Sequence, residues 1–244
     1  MIDPFQMKPE LRYGAPPCDQ LLVGREFTIG YSWYFRLAKW TLEIVNRTAF
    51  NVSDLDDVER LDNFRADMRL PKRFRASLSA YQNSGYHRGH LVASANMDLT
   101  DIFNSETFLL SNMAPQVGSF NTGKWKSLEK AIRELDARDD VFETYVLTCP
   151  LFYFERPIEW LGKIDEFGII VPVPHAFVKS VMIEKKNGHL EHWTFLMENK
   201  KLEGDLSEYL VKTHYAEQLV GGRFWSGIDW EYLDKQKSTV RNMW

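Results

Sequence analysis

The chain has 244 residues, with 30 Lys plus Arg against 34 Asp plus Glu and a formal net charge of −4. That balance excludes a histone-like or polybasic binder, and 44% hydrophobic with 26% charged residues excludes a disordered chain. No run approaches the roughly 20 apolar residues of a membrane span, and two cysteines, Cys18 and Cys149, cannot build a disulfide framework or a four-ligand zinc site.

In chain order, residues 1–6 precede a second methionine, Met7, and read as a cloning remnant. Residues 1–20 together read as an irregular lead-in. The start shows no basic region followed by an apolar stretch, so no signal peptide is visible. The chain as given reads as cytoplasmic, with organelle targeting or secretion expected if a leader was removed. Residues 40–46 alternate like a strand. Residues 60–75 are basic and broken by Pro71, which predicts a loop with short elements. Residues 86–93 read as a strand end entering a loop, and 107–112, TFLLSN, as a short apolar strand.

The clearest helix is 122–138. Trp125, Leu128, Ile132 and Leu135 form one apolar face with charges opposite, and Asn121 stands where an N-cap would. Residues 144–149 and 168–173 read as buried strands. Residues 175–184 and 191–197 read as a hairpin turning at Asn187–Gly188. Residues 205–217 suggest a second helix, and 229–244 a C-terminal extension with a short helix at an interface. Trp225, Trp230 and Trp244 read as packing residues rather than base-stacking ones. Without repeats or a long linker, one domain over 21–228 is expected. The mixed order predicts an α+β fold with a central mixed or antiparallel β-sheet flanked by helices.

Charge is not spread evenly. Between Arg60 and His90 stand seven positive side chains (Arg60, Arg65, Arg69, Lys72, Arg73, Arg75, Arg88) and two negative ones (Asp62, Asp67), a local +5 that leaves −9 elsewhere. Such a run is either a solvated basic loop or a phosphate-contacting surface. At its end, His87-Arg88-Gly89-His90 sets two imidazoles around an arginine in a turn-prone segment. A histidine near neutrality can take a proton from water, and an arginine can hold a phosphate through two hydrogen bonds. Further on, Asn112 and Asn121 offer neutral oxygens and Glu129 a charged one, the donors a hard cation accepts. Taken singly, each has a plainer reading: a structural histidine, an N-cap, a solvated glutamate. His175, His189, His192 and His214 are scattered and show no metal-binding spacing.

Taken together, SGYHRGHL, SNMAPQ and FNTGKWKSLE read differently. They are similar to an R-G-H segment, an S-N-x-x-P-Q segment and N-x-G-x-W-x-x-L-E on a following helix, in that order. The chain thus resembles the DNA/RNA non-specific endonuclease family, the ββα-metal nucleases that include endonuclease G. DNFRAD (62–67), YVLTCPLF (145–152, with Cys149 where the family usually has Gly) and VPVPHAFVKSV (171–181) extend the likeness.

The resemblance implies a ββα-metal active-site motif and a sequence-non-specific endonuclease acting on DNA and RNA, leaving 5′-phosphate ends. It implies His90 as general base and Asn121 as the direct protein ligand of one Mg²⁺ or Mn²⁺, with Glu129 holding metal-bound water. Asn112 is expected to orient His90, and Arg88 to meet phosphate or the metal-water shell. Arg60 is the candidate for transition-state charge, with Arg65 the alternative. The basic residues from Arg60 to Arg88, with Trp125, are candidate nucleic-acid contacts. A homodimer is expected, as is restraint by an inhibitor or activator protein. The family usually has Asp before R-G-H, where this chain has His87, which removes a negative charge. A catalytically silent binding module of the same fold, or an exonuclease or small-nucleotide phosphodiesterase, are the alternatives.

Overall fold

The computed structural model describes residues 8–45, 58–162, 168 and 170–244. Its frame is a six-stranded antiparallel sheet in the order β1 (Gln20–Val23), β2 (Phe27–Ser32), β3 (Leu37–Ile44), β6 (Val141–Leu151), β9 (Ala176–Lys185) and β10 (Leu190–Glu198). Strand alternation divides its side chains between two cores. On one face Phe177, Val181 and Ile183 of β9 join Val146 of β6 and Phe195 of β10. On the other, Trp40, Leu42, Tyr145, Leu147, Val178 and Met182 pack with Phe224 and Trp225. Because both faces are covered, the central strands are apolar almost continuously, and Thr41, Thr144, Thr148 and Ser180 are buried among them.

The predicted hairpin is present: Asn187–Gly188 turns β9 into β10, with Gly188 at φ +81°. The chain between β3 and β6 leaves the sheet and builds the rest of the first face. It carries α1 (Leu78–Tyr81), β4 (His87–His90), α2 (Asp101–Thr107) and β5 (Met113–Gln116). Next come the single turn α3 (Gly118–Phe120), π-type winding over Asn121–Trp125, and α4 (Lys126–Asp136). β4 pairs antiparallel with β5, placing His87 opposite Gln116 and His90 opposite Met113. Trp125, Leu128, Ile132 and Leu135 are all buried, so α4 docks on the sheet by the face its spacing predicts.

Several expectations are corrected. Residues 107–112 are not a strand. A short apolar run does not distinguish strand from buried helix, and here Thr100 caps α2, Leu109 makes only an isolated bridge to Arg65, a 3₁₀ turn spans Leu110–Asn112, and strand β5 begins at Met113. Asn121 is not an N-cap: it has helical dihedrals (φ −57°, ψ −47°) within winding that began at Gly118, interrupted at Gly123. Of 168–173 only Val171–Pro172 pairs, with Trp160–Leu161 (β8 and β7), since Pro172 and Pro174 lack ladder donors; Ile169 lies outside the described residues.

The helix expected over 205–217 is split. A 3₁₀ turn covers Leu206–Tyr209, Val211 donates to Thr194 at the β10 edge, and α5 runs Thr213–Val220. α6 (Trp230–Lys237) lies against this body through buried Leu233 and a Lys237–Glu217 ion pair of 2.6 Å. Trp225 is buried and donates to Ser180 Oγ, and Trp244 packs edge-on against Trp193. The side chain of Trp230 and residues 1–7 lie outside the described residues. From residue 8 onward the lead-in packs down, with Glu10 and Leu11 buried. Cys18 and Cys149 are both free, and no helix among the described residues is long and apolar enough to cross a membrane.

Candidate active site

β4, the segment after it and the winding from Asn121 into α4 converge on one cleft of about 320 Å³. Its lining includes Arg60, Arg88, His90, Asn121, Glu129 and Arg133. A larger groove of about 800 Å³ shares Arg60, Arg88 and Asn121 and continues past Tyr86 and His87. A separate cavity of about 490 Å³ lies between α5 and α6, where Lys237 pairs with Glu217 and His214 with Asp234.

Two side chains leave β4 on the cleft side. His90 is 9% exposed and stands edge-on to Phe108 at 4.9 Å, with Phe64 beside it. Its Nε2 has no hydrogen-bond partner among the described residues. Burial, with Arg60 and Arg88 adding to it, pushes its pKa down to about 3, so the ring is neutral at pH 7 and Nε2 carries a lone pair or a proton according to its tautomer. Arg88 lies with its guanidinium 4.0 Å from the centre of the Phe64 ring, a stacking that fixes its direction. Gly89 between them is required by contact: a Cβ there would come within 2.1 Å of the Gln116 side chain.

Asn112 does not orient the His90 imidazole by contact. It is fully buried. Its Oδ1 accepts from Val92 N–H, and its Nδ2 donates to the carbonyls of Val92 and Thr107, while its own carbonyl accepts from Leu91. It clamps the backbone that leaves His90. Trp125 is 1% exposed, so it cannot contact nucleic acid. Its indole donates to the His90 carbonyl at 3.4 Å, and it supports the site from beneath.

The basic segment separates into three groups. Arg60 reaches the cleft, with its guanidinium 5.0 Å from the centre of the Phe108 ring and hydrogen bonds to Asp62 and Ser94. Arg65 turns instead to the Asn63 and Ser105 carbonyls. Arg69 grips Asp67 through two nitrogens and also donates to Val23. Burial works against the Asp67 carboxylate, yet Arg69 and Ser111 hold its pKa below the ordinary range. Arg65 and Arg69 therefore serve the fold and do not line the cleft or the groove beside it. Lys72 and Arg73 are exposed and Arg75 half-buried around a 3₁₀ turn, where Arg73 lies over Phe74 and Arg75 reaches Met68; they do not line the cleft.

Glu129 is partly buried in the cleft wall. Burial raises its pKa, and Lys179, Arg133, Lys126 and Arg60 pull it back. Arg133, four residues on, shares its face of α4; its guanidinium donates to Asn96 Oδ1 at 3.0 Å, and Asn96 in turn donates to the buried Glu43 at 3.0 Å. Lys179 of β9 is 1% exposed and sits 4.5 Å from the Trp125 ring centre. Burial lowers its pKa, while Glu129 and Glu43 favour its charge. Arg133, Asn96, Glu43 and Lys179 were not identified as site residues from the sequence, although Lys179 lies in the VPVPHAFVKSV stretch that extends the family likeness and Arg133 has helical spacing from Glu129.

The candidate cation-binding groups lining the cleft are the Asn121 amide and the Glu129 carboxylate. Among the described residues no group of three or more His, Cys, Asp or Glu side chains stands together to hold a metal. Such a sparse oxygen set suits a hard cation that keeps most of its water better than a tetrahedral zinc cage.

A family model for DNA/RNA non-specific endonucleases matches residues 10–230. The chain belongs to this family. It is therefore a nuclease, a hydrolase of phosphodiester bonds, and the family is metal-dependent. Among relatives, it is 28% identical over 240 residues to the mitochondrial endonuclease G of Caenorhabditis elegans, covering 95% of this chain and 76% of that one. The mitochondrial endonuclease G of Homo sapiens is 31% identical over 216 residues (86% and 71% covered), and nuclease C1 of Cunninghamella echinulata var. echinulata 30% over 228 (90% and 88%). A chain in the crystal structure of the EndoG/EndoGI complex superimposes with a TM-score of 0.83 at 28% identity, covering 98% of this chain and 99% of that one. This agrees with the α+β, ββα-metal fold expected from the three motifs.

Proposed function

We propose that this nuclease hydrolyses DNA and RNA internally and without sequence preference, with His90 as general base and one Mg²⁺ or Mn²⁺ held by Asn121. The observation that carries the reading is a neutral, buried imidazole sharing one cleft with an amide, a carboxylate and three arginines. The imidazole takes the proton from the attacking water. Arg60, Arg88 and Arg133 meet the phosphoryl oxygens and offset the charge that develops there. Asn121 Oδ1 would hold the cation directly and Glu129 through water; when bound, the cation supplies Lewis-acid stabilisation of the phosphoryl group. The cleft offers charge and hydrogen bonds of the kind that meet phosphate and sugar, which carry no sequence information.

Two relatives are named mitochondrial, and the solved structure is of an EndoG/EndoGI complex analysed for EndoG inhibition. By extension, organelle targeting and restraint by an inhibitor protein are part of this proposal, as is a homodimer. Covalently closed plasmid and structured RNA digested in Mg²⁺ test it. Both are expected to be cut and both reactions to stop with EDTA. Plasmid binding without cleavage in Mg²⁺ or Mn²⁺ would favour a silent binding module, and cleavage of linear DNA alone an exonuclease.

A further inference from the structure

We propose that His87 is a positioning residue whose ring fixes the Asn121 amide so that its oxygen, and not its nitrogen, faces the cleft. This rests on the reading of Asn121 as the metal-holding residue.

An asparagine amide presents an oxygen and an NH₂ group of nearly equal size on one rotatable bond. Only the oxygen attracts a cation; the NH₂ group turned the same way would repel it. Which end faces the cleft is decided by what the other end bonds. Here Asn121 Nδ2 lies 3.2 Å from His87 Nδ1, and it is the amide's hydrogen bond among the described residues. With Nδ1 accepting, Nδ2 is held toward the strand and Oδ1 is left for the cleft.

The fold brings the ring to the amide. His87 begins β4 opposite Gln116, and α3 starts two residues later, so the turn brings Gly118 and Asn121 onto the same ring. A Cβ at Gly118 would come within 2.8 Å of His87 Nε2, so the glycine is what leaves space for the imidazole. The family's usual acid at this position would also accept from the amide. The imidazole keeps that acceptor and drops the charge, and this accounts for a departure from the motif that preserves the orienting contact.

Isothermal titration of Mn²⁺ into the metal-free 244-residue chain reads binding without reading activity. His87→Ala is expected to weaken Mn²⁺ binding about ten-fold. His87→Asn, whose Oδ1 replaces Nδ1 as acceptor, is expected to restore most of that loss. In plasmid cleavage, the Mg²⁺ concentration for half-maximal rate should rise in parallel, with a much smaller fall in the rate at saturating metal. Gly118→Ala should weaken binding in the parent chain but not in the His87→Ala background, where no ring remains to be displaced. Thermal melting checks that each variant is folded. If His87→Ala binds Mn²⁺ like the parent while Asn121→Ala does not, the proposal fails and the metal reading stands. If His87→Asn is as weak as His87→Ala, ring packing rather than the acceptor matters, and the proposal also fails. If Asn121→Ala binds undiminished, the metal reading itself is overturned.

Discussion

Glu43 is a carboxyl group 1% exposed in the third strand of the sheet, beneath the cleft, and its hydrogen-bond partner is Asn96. Burial pushes its pKa up to about 7, against the pull of Lys179 and the Asn96 hydrogen bond. A carboxyl whose folded pKa is raised favours folding while it stays protonated. That contribution is complete below the unfolded value near 4.5 and is lost as pH rises through about 7. At about 1.36 kcal/mol per pH unit, the gap between those values corresponds to about 3 kcal/mol at pH 8 and above.

Glu43→Gln keeps an acceptor for Asn96 and cannot ionise. It is therefore expected to match the parent near pH 4.5 and to exceed it by about 3 kcal/mol at pH 8 in metal-free buffer. Urea unfolding at both pH values measures the difference, and other titrating groups common to the two proteins cancel. A variant no more stable than the parent at pH 8, or stabilised equally at both, would refute the reasoning. Either result would mean that Lys179 holds Glu43 ionised despite burial.

Two further outcomes follow from how the arginines are placed. Arg60→Ala should lower plasmid cleavage about 100-fold by removing a cleft charge, whereas Arg69→Ala should mainly cost stability, about 3 kcal/mol, by leaving the buried Asp67 without its cation; comparing kcat/KM with Tm for both variants separates the two roles. Cleavage at subsaturating substrate should fall with salt at a slope near −3 in log–log form, about −0.9 for each of three phosphate contacts by Arg60, Arg88 and Arg133 on duplex DNA; a flat profile would mean these arginines do not meet the backbone.

The motif residues were legible because cation-binding oxygens, an imidazole and an arginine recur at fixed spacing with a helical apolar face between Trp125 and Leu135. The contacts among them were less legible. Asn112 read as a partner of the His90 ring, but it satisfies three backbone groups instead, because a buried amide pairs with whatever peptide groups enclose it. The basic run summed to +5, yet Arg65 and Arg69 are drawn onto neighbouring acceptors, and summed charge does not reveal local pairing. Glu43, Asn96 and Lys179 come from segments 53 to 136 residues apart, joined only by the sheet and the cleft floor; Lys179 stands in a stretch similar to the family's, but no local pattern announces Glu43 or Asn96 or the contact among the three. His87 stood out as a departure from the motif, while its partner Asn121 is 34 residues away and became visible only once the β4–β5 pair and the α3 turn were in place.

The most direct test is cleavage of supercoiled plasmid in saturating Mg²⁺ by His90→Ala beside the parent chain, with near-ultraviolet circular dichroism showing that the variant is folded. The prediction is a loss of at least about 100-fold in rate with the fold intact. Cleavage by a folded His90→Ala at close to the parent rate would contradict His90 as the base.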